Sequence, residues 1–380
     1  MASDYVRQLP QGSADLARRP SAASRFHIDV PLLLLLLALT SFGLVVLYSA
    51  SGQSSAAVVR QAQYFVIAYV VMIMAAQVSL ARYQRWAPWF YLLGAGLLVA
   101  VIFVGVGAKG AQRWLSVGGF RFQPSEILKL VVPMTVAWYL APRSLPPRFK
   151  YIIASLVIVA IPAALILRQP DLGTALLIAA SGLFVVFMSG IGWRYIFGAL
   201  VLAIASAWPA WLFVLKGYQK QRILTLLNPE SDKLGAGWNI IQSKTAIGSG
   251  GWEGKGWMSG TQSQLDFLPE SHTDFIIAVL AEEFGLRGVL ILMAIYILIL
   301  LRGFWIGLNA QSSYGRMLAG SLTLTFFVYI FVNMGMVAGL LPVVGVPLPL
   351  VSAGGTSVVT LMAGFGLLMA ISTEKRSVTH

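Results

Sequence analysis

The sequence has no cysteine and only three histidines, His27, His272 and His380, in 380 residues. Disulfides, thiol nucleophiles, thiolate-bound metals and a histidine-rich metal site are therefore excluded. Charge is scarce as well. Asp, Glu, Lys and Arg make up 11% of the chain, against about 25% in soluble domains. Hydrophobic residues make up 58%, with a mean hydropathy of +0.78. Such a chain is neither a soluble globular enzyme nor a disordered one. It reads as an all-α polytopic membrane protein. It also lacks a convincing internal repeat, which disfavours an inverted-repeat transporter.

The charge that remains is lopsided, with 27 Lys and Arg against 14 Asp and Glu. In a membrane protein this excess reads as basic loops beside anionic lipid rather than as a nucleic-acid surface. A spanning helix needs about 20 mostly apolar residues. Runs near 30–50, 62–80, 87–106, 126–141, 151–168, 174–189, 194–215, 275–301, 315–340 and 355–373 predict about ten transmembrane helices. The first run follows a long polar lead, so it reads as an uncleaved span and not as a signal peptide. The lead itself, residues 1–27, is rich in Ser, Ala and Arg and predicts a disordered cytoplasmic tail. Residues 28–376 form the membrane domain, and Gln169-Pro170-Asp171-Leu172-Gly173 reads as a tight turn between antiparallel helices.

Ten spans put both termini on one side, and the cations choose which. Segments 7–25, 82–85, 143–150, 194, 302–316 and 375–376 hold fourteen Lys and Arg, whereas the short loops opposite hold five: Arg60, Lys109, Arg113, Arg121 and Arg168. The positive side is the cytoplasmic side, so both termini are expected there. The acids Glu126, Asp171, Glu230, Asp232, Glu253, Asp266, Glu270 and Asp274 gather on the other side. So does the longest hydrophilic stretch, 216–273, a large periplasmic loop between spans seven and eight. Its Gly- and Trp-rich part, Ser243 to Gly260, is expected to be irregular. Chemistry is expected at this end.

An ionisable group inside a span is costly, so it usually has a partner or a function. Glu126 and Lys129 are three apart at the start of span four and share a helix face. They are either a structural ion pair or a site that orients an anionic substrate or a cation. Pro124 opens that helix and Ser125 is its candidate cap. In span eight, Glu283 and Arg287 are four apart and read as a buried structural pair, too deep to reach a substrate outside. Where the large loop enters span eight, Leu268-Pro269-Glu270-Ser271-His272-Thr273-Asp274 places Asp274 with only His272 as a nearby base. Asp274, or Thr273, caps the helix, or Asp274 acts as a general base. Both readings stay open.

Gly250-Gly251-Trp252-Glu253-Gly254-Lys255-Gly256 is rejected as a phosphate loop: no Ser or Thr follows the lysine and no strand precedes it. Lys216, Lys220, Arg222, Lys244 and Lys255 can hold a diphosphate by charge-assisted hydrogen bonds, or else form a surface attracted to anionic lipid. Near the end, Pro342, Pro347 and Pro349 break an apolar segment. Irregular backbone at membrane depth needs burial or a cavity, so 341–354 is expected to be a re-entrant segment, with a plain outer turn as the alternative.

Five motifs, in order, carry a family resemblance. They are Lys109-Gly110-Ala111-Gln112-Arg113-Trp114, Gln123-Pro124-Ser125-Glu126, Gln169 to Thr174, Leu268 to Asp274, and the Pro-rich 342–349. From about residue 30 to 375 the chain resembles the SEDS proteins (shape, elongation, division and sporulation), and most closely the elongation members. The resemblance implies a peptidoglycan glycosyltransferase that joins lipid II, a disaccharide-pentapeptide on undecaprenyl diphosphate, into β-1,4 glycan strands. It implies a class B penicillin-binding protein as partner, within the machinery of rod-shaped growth. The family's essential aspartate corresponds to Asp274. Arg113, Lys129, Lys220 and Arg222 are the candidate diphosphate ligands, His272 an adjoining substrate contact. Glu126 either positions Lys129 or helps to hold a divalent cation, and no other cofactor is implied. One departure is Ala353, where many relatives carry tyrosine. A lipid II flippase, or a scaffold that activates the penicillin-binding protein, uses the same features and stands as the alternative.

Overall fold

The structure, a computed structural model, describes residues 26–108, 111–117, 120–232, 235–264 and 270–374. The tail 1–25, Lys109 and Gly110, Asp266, Leu268 and Pro269, and Lys375 with Arg376 lie outside the described residues. The long apolar runs form helices, because lipid offers the backbone no hydrogen-bond partner and a helix supplies its own. The first are α1 (Val30–Ala50), α2 (Ser55–Gln77) and α3 (Leu80–Val104). Three strands follow, β1 (Val106–Ala108), β2 (Ala111–Val117) and β3 (Phe120–Phe122), then α4 (Pro124–Leu140), α5 (Phe149–Arg168), α6 (Leu172–Met188) and α7 (Trp193–Pro209). The remainder is α8 (Gly217–Leu227), α9 (Ala236–Gly250), the short α10 (Thr261–Gln264), α11 (Ile276–Asn309), α12 (Ser313–Val337) and α13 (Thr356–Ser372).

Seven helices among the described residues are long and apolar enough to cross a membrane: α1, α2, α3, α5, α7 taken with its π-helical continuation to Phe213, α11 and α12. Helices α6 and α13 are shorter apolar helices, and α4 has 17 residues. Helix α4 is the most enclosed, with Glu126, Lys129, Pro133 and Thr135 buried beside its apolar residues. Helix α12 packs on α4, α6 and α11. Helix α7 has no buried residue. The core therefore runs around α4 and α12, and it encloses the charged pair Glu126 and Lys129 at the start of α4.

Four expectations need correction. The chain is mostly helical but not all helix: β1, β2 and β3 form an antiparallel sheet in that order, with Leu115 opposite Phe122. The 216–273 segment is not simply a loop. It contains α8 and α9, and α9 extends to Gly250, so the first half of Ser243–Gly260 is helical. Ser125 caps nothing; Gln123 holds the cap position of α4, and the Ser125 hydroxyl is buried without a partner among the described residues.

The last concerns Glu283 and Arg287, which do not pair. Gly285 lies between them at φ 63° and ψ −163°, breaking α11. A side chain there would meet the backbone N of Gly254, so the position requires glycine on both counts. A helix break orphans carbonyls before it and N–H groups after it. Segment 251–256 satisfies both. Lys255 N and Gly256 N donate to the Glu282 and Glu283 carbonyls, both at 3.0 Å, while Leu286 N and Arg287 N donate to the Gly251 and Trp252 carbonyls at 2.9 and 3.3 Å. Arg287 pairs at 2.9 Å with Glu253 on this segment, and both side chains are more than half exposed.

The Glu282 carboxylate, 0% exposed, locks the segment down. It accepts from Lys255 Nζ at 2.7 Å, Thr261 N at 2.8 Å and Gln262 N at 3.1 Å. Glu282→Ala leaves the lysine without its counter-charge and two amides without an acceptor. The expected loss is about 3 kcal/mol or more, read as a lowered melting temperature of the detergent-solubilised protein.

Candidate active site

A cavity of about 900 Å³ opens among α4, α6, the sheet, the start of α11 and the Pro-rich segment. Its lining carries both signs: the cations Arg113, Lys129 and Arg222 and the acids Glu126, Asp171, Glu270 and Asp274, together with Gln123, Asn239 and residues Val343 to Pro347.

Arg113 stands on β2, which holds it against the turn before α6. Its Nε donates to Gln169 O at 3.3 Å, and its Nη2 to Pro170 O at 2.6 Å. Its Nη1 lies 3.4 Å from Asp171 Oδ2. Asp171 is the N-cap of α6, accepting from Thr174 N at 3.2 Å, and it also receives Gln123 Nε2 at 3.4 Å. The expected turn at 169–173 is present, and it does more than reverse the chain, since it ties the sheet, α4 and α6 together at the cavity wall.

Glu126 and Lys129, one turn apart on α4, meet at 2.6 Å with both residues buried. The Tyr329 ring of α12 lies 5.2 Å from the Lys129 ammonium, close enough for a cation–π contact. Beside this pair is a second cavity of about 60 Å³ with an apolar lining that includes Leu130, Leu322, Phe326 and Phe365.

Asp274 precedes α11 and does not cap it. The cap position is Phe275, with no side-chain capping bond, so Asp274 enters the cavity wall instead. Gly345, at φ +74°, is its close neighbour; a Cβ there would stand 3.4 Å from Asp274 Oδ2. The segment around Gly345 is irregular from Pro342 to Pro347 and partly buried, and it lies against both Asp274 and Gly173.

Five of the seven predicted site residues therefore line one cavity: Asp274, Arg113, Glu126, Lys129 and Arg222. Two do not. Lys220 lies outside the lining, with its Nζ 5.9 Å from the Trp211 ring, because α8 turns it away from Arg222's side. His272 is exposed, and its backbone carbonyl, not its ring, is engaged, accepting from Ala353 N at 2.9 Å. Lys255 is committed to Glu282. Sequence reasoning missed Asp171, Gln123 and Tyr329 as site residues. The first two belong to motifs already singled out, which was a usable signal; Tyr329 sits in an apolar run and gave none. Among the described residues no group of three or more His, Asp or Glu is placed to hold a metal ion.

Long apolar helices around a charged cavity define a multi-pass membrane protein with a polar site at one end of its bundle. The family model described as "Cell cycle protein", covering FtsW, RodA and SpoVE, matches residues 30–377, and the chain belongs to this family, the SEDS proteins. Peptidoglycan glycosyltransferase MrdB of Escherichia coli is 53% identical over 352 residues, covering 93% of this chain and 95% of its own. A probable peptidoglycan glycosyltransferase FtsW of Geobacter metallireducens is 37% identical over 361 residues, covering 92% and 95%. Among solved structures, a chain from "Structural coordination of polymerization and crosslinking by a peptidoglycan synthase complex" superposes with a TM-score of 0.80 at 30% identity, over 90% of this chain and 97% of that one. The Thermus thermophilus rod shape determining protein RodA gives 0.68 at 27% identity, over 90% and 96%.

Proposed function

We propose that this chain is a peptidoglycan glycosyltransferase that polymerises lipid II into β-1,4 glycan strands during cell elongation. The observation that carries the reaction is the placement of Asp274, a carboxylate in the wall of a cavity that Arg113, Lys129 and Arg222 also line. Asp274 takes the proton from the acceptor sugar's 4-hydroxyl. That oxygen attacks the anomeric carbon of the donor, the bond to the lipid diphosphate breaks, and the pair of electrons leaves with the diphosphate. One displacement inverts α to β, so no protein nucleophile is required.

Arg113, Lys129 and Arg222 stabilise the departing diphosphate. Of the three, Arg222 has no carboxylate within 4 Å among the described residues, whereas Asp171 and Glu126 partly offset the others. Glu126 is the residue that would hold a divalent cation, which would add positive charge beside the diphosphate. The apolar cavity beside Lys129, about 60 Å³, has room for the first few carbons that follow a diphosphate head. His272 and Lys220, exposed or turned away, remain contacts for larger parts of the substrate.

The seven long helices together with α4, α6 and α13 make ten spans, with both termini cytoplasmic, the 216–273 segment periplasmic and the bacterial inner membrane as the site. A class B penicillin-binding protein is the partner, a reading supported by the synthase complex that contains the similar chain.

The test uses purified protein, its transpeptidase partner and labelled lipid II in detergent. A ladder of glycan products on a gel is expected. Its absence with the partner bound would move the reading to a flippase or a scaffold.

A further inference from the structure

Asp274 is delivered to the cavity by a stretch of backbone ahead of a helix, and that stretch is held at three successive carbonyls. His272 O accepts from Ala353 N at 2.9 Å, Thr273 O from the Ser352 hydroxyl at 2.5 Å, and Asp274 O from Asn333 Nδ2 at 2.9 Å. The same Nδ2 donates to Val346 O at 2.7 Å. Both neighbours are carbonyls, so only the amide's NH₂ can face them, which fixes its orientation.

Asn333 is 0% exposed, within the apolar helix α12. Its Nδ2 makes both of these bonds, while Oδ1 is buried without a partner among the described residues, so the amide is costly to bury. One turn earlier on α12 is Tyr329, which faces Lys129. Residues four apart share a helix face at about 6 Å. One face of α12 thus touches both the candidate cation and the backbone of the candidate base.

We propose that Asn333 is a positioning residue that, with Tyr329, makes α12 a fixed spacer between Asp274 and Lys129. The proposal rests on the reading of Asp274 as the base. A displacement needs the attacking oxygen, the anomeric carbon and the leaving group in line, with the base within hydrogen-bond reach of the attacking hydroxyl. A misplacement of about 1 Å costs roughly 100-fold in rate. Three anchored carbonyls hold the base at one distance from the cation, and Asn333 is the anchor that reaches α12.

The experiment compares wild type, Asn333→Leu, Asn333→Ser and Asp274→Ala as full chains with the transpeptidase partner, measuring kcat and KM for lipid II alongside melting temperature. Asn333→Leu keeps the volume and removes both donors. It is expected to lose roughly 100-fold in kcat with KM unchanged, and Asn333→Ser, which keeps one donor, to recover part of the rate. A folded Asn333→Leu protein with the wild-type kcat, or one whose loss lies entirely in KM, would overturn the proposal. Should Asn333→Leu not fold, Asn333→Ser and Ser352→Ala are read in the same way. Activity in Asp274→Ala would sink the base and the spacer together. An inactive Asp274→Ala beside a fully active Asn333→Leu would sink the spacer alone.

Discussion

Asp274→Ala protein that folds and still binds its transpeptidase is expected to give no glycan ladder from lipid II. Loss of a general base costs about 10²–10⁴-fold, and at such a rate a gel shows monomer only. Asp274→Asn sharpens the test. The amide nearly matches the carboxylate in shape and keeps the backbone bond from Asn333 to the residue-274 carbonyl, so what it removes is basicity. If Asn and Ala are equally inactive with unchanged melting temperatures, proton abstraction is the missing step. If the Asn variant polymerises at the wild-type rate, position 274 matters for shape and the base lies elsewhere. Glu270 would then be the next candidate, since it lines the same cavity.

The second large effect belongs to Glu126 and Lys129. Their contact at 2.6 Å is buried on α4, and removing one member of such a pair costs about 3–5 kcal/mol because the other charge is stranded. Lys129→Ala should therefore lower both stability and rate. Removing one preorganised electrostatic contact of this kind costs about 10²–10³-fold in kcat. The double replacement Glu126→Leu with Lys129→Met separates the two roles. An apolar pair of similar volume is often neutral or stabilising, so the melting temperature should return while polymerisation stays lost. A double variant that makes glycan normally would show that the pair serves the fold alone.

How much of this was legible depends on what each feature leaves in the chain. The helices were, because a run of apolar residues near 20 has few other meanings; α1, α4 and α13 begin within two residues of the runs read from sequence. The sheet was not. Strands of three, seven and three residues are too short to carry an alternation, and they follow directly on an apolar helix. In the site, Asp274, Glu126 and Lys129 stood out because charge is expensive where they lie. Asn333 is a single amide in an apolar run, and only the positions of two distant carbonyls give it meaning. The Gly285 break was hidden for a related reason. Glu282-Glu283-Phe284-Gly285-Leu286-Arg287 has the composition of a continuous helix with a favourable acid–base spacing, and its true partners come from 251–262.

That break also bears on how the protein sits against its lipid. Unbroken, the 34 residues of α11 would measure about 51 Å at 1.5 Å per residue, far more than the roughly 30 Å of hydrocarbon in a bilayer. Below Gly285, residues 286–309 make about 36 Å, a length that a modest tilt accommodates. Above it, residues 276–284 add about 13 Å. In the ten-span arrangement proposed above, the half-exposed Arg287–Glu253 pair would meet the headgroups, and the upper piece would be a pedestal that lifts Asp274 out of the hydrocarbon toward the sugars of a lipid-linked substrate.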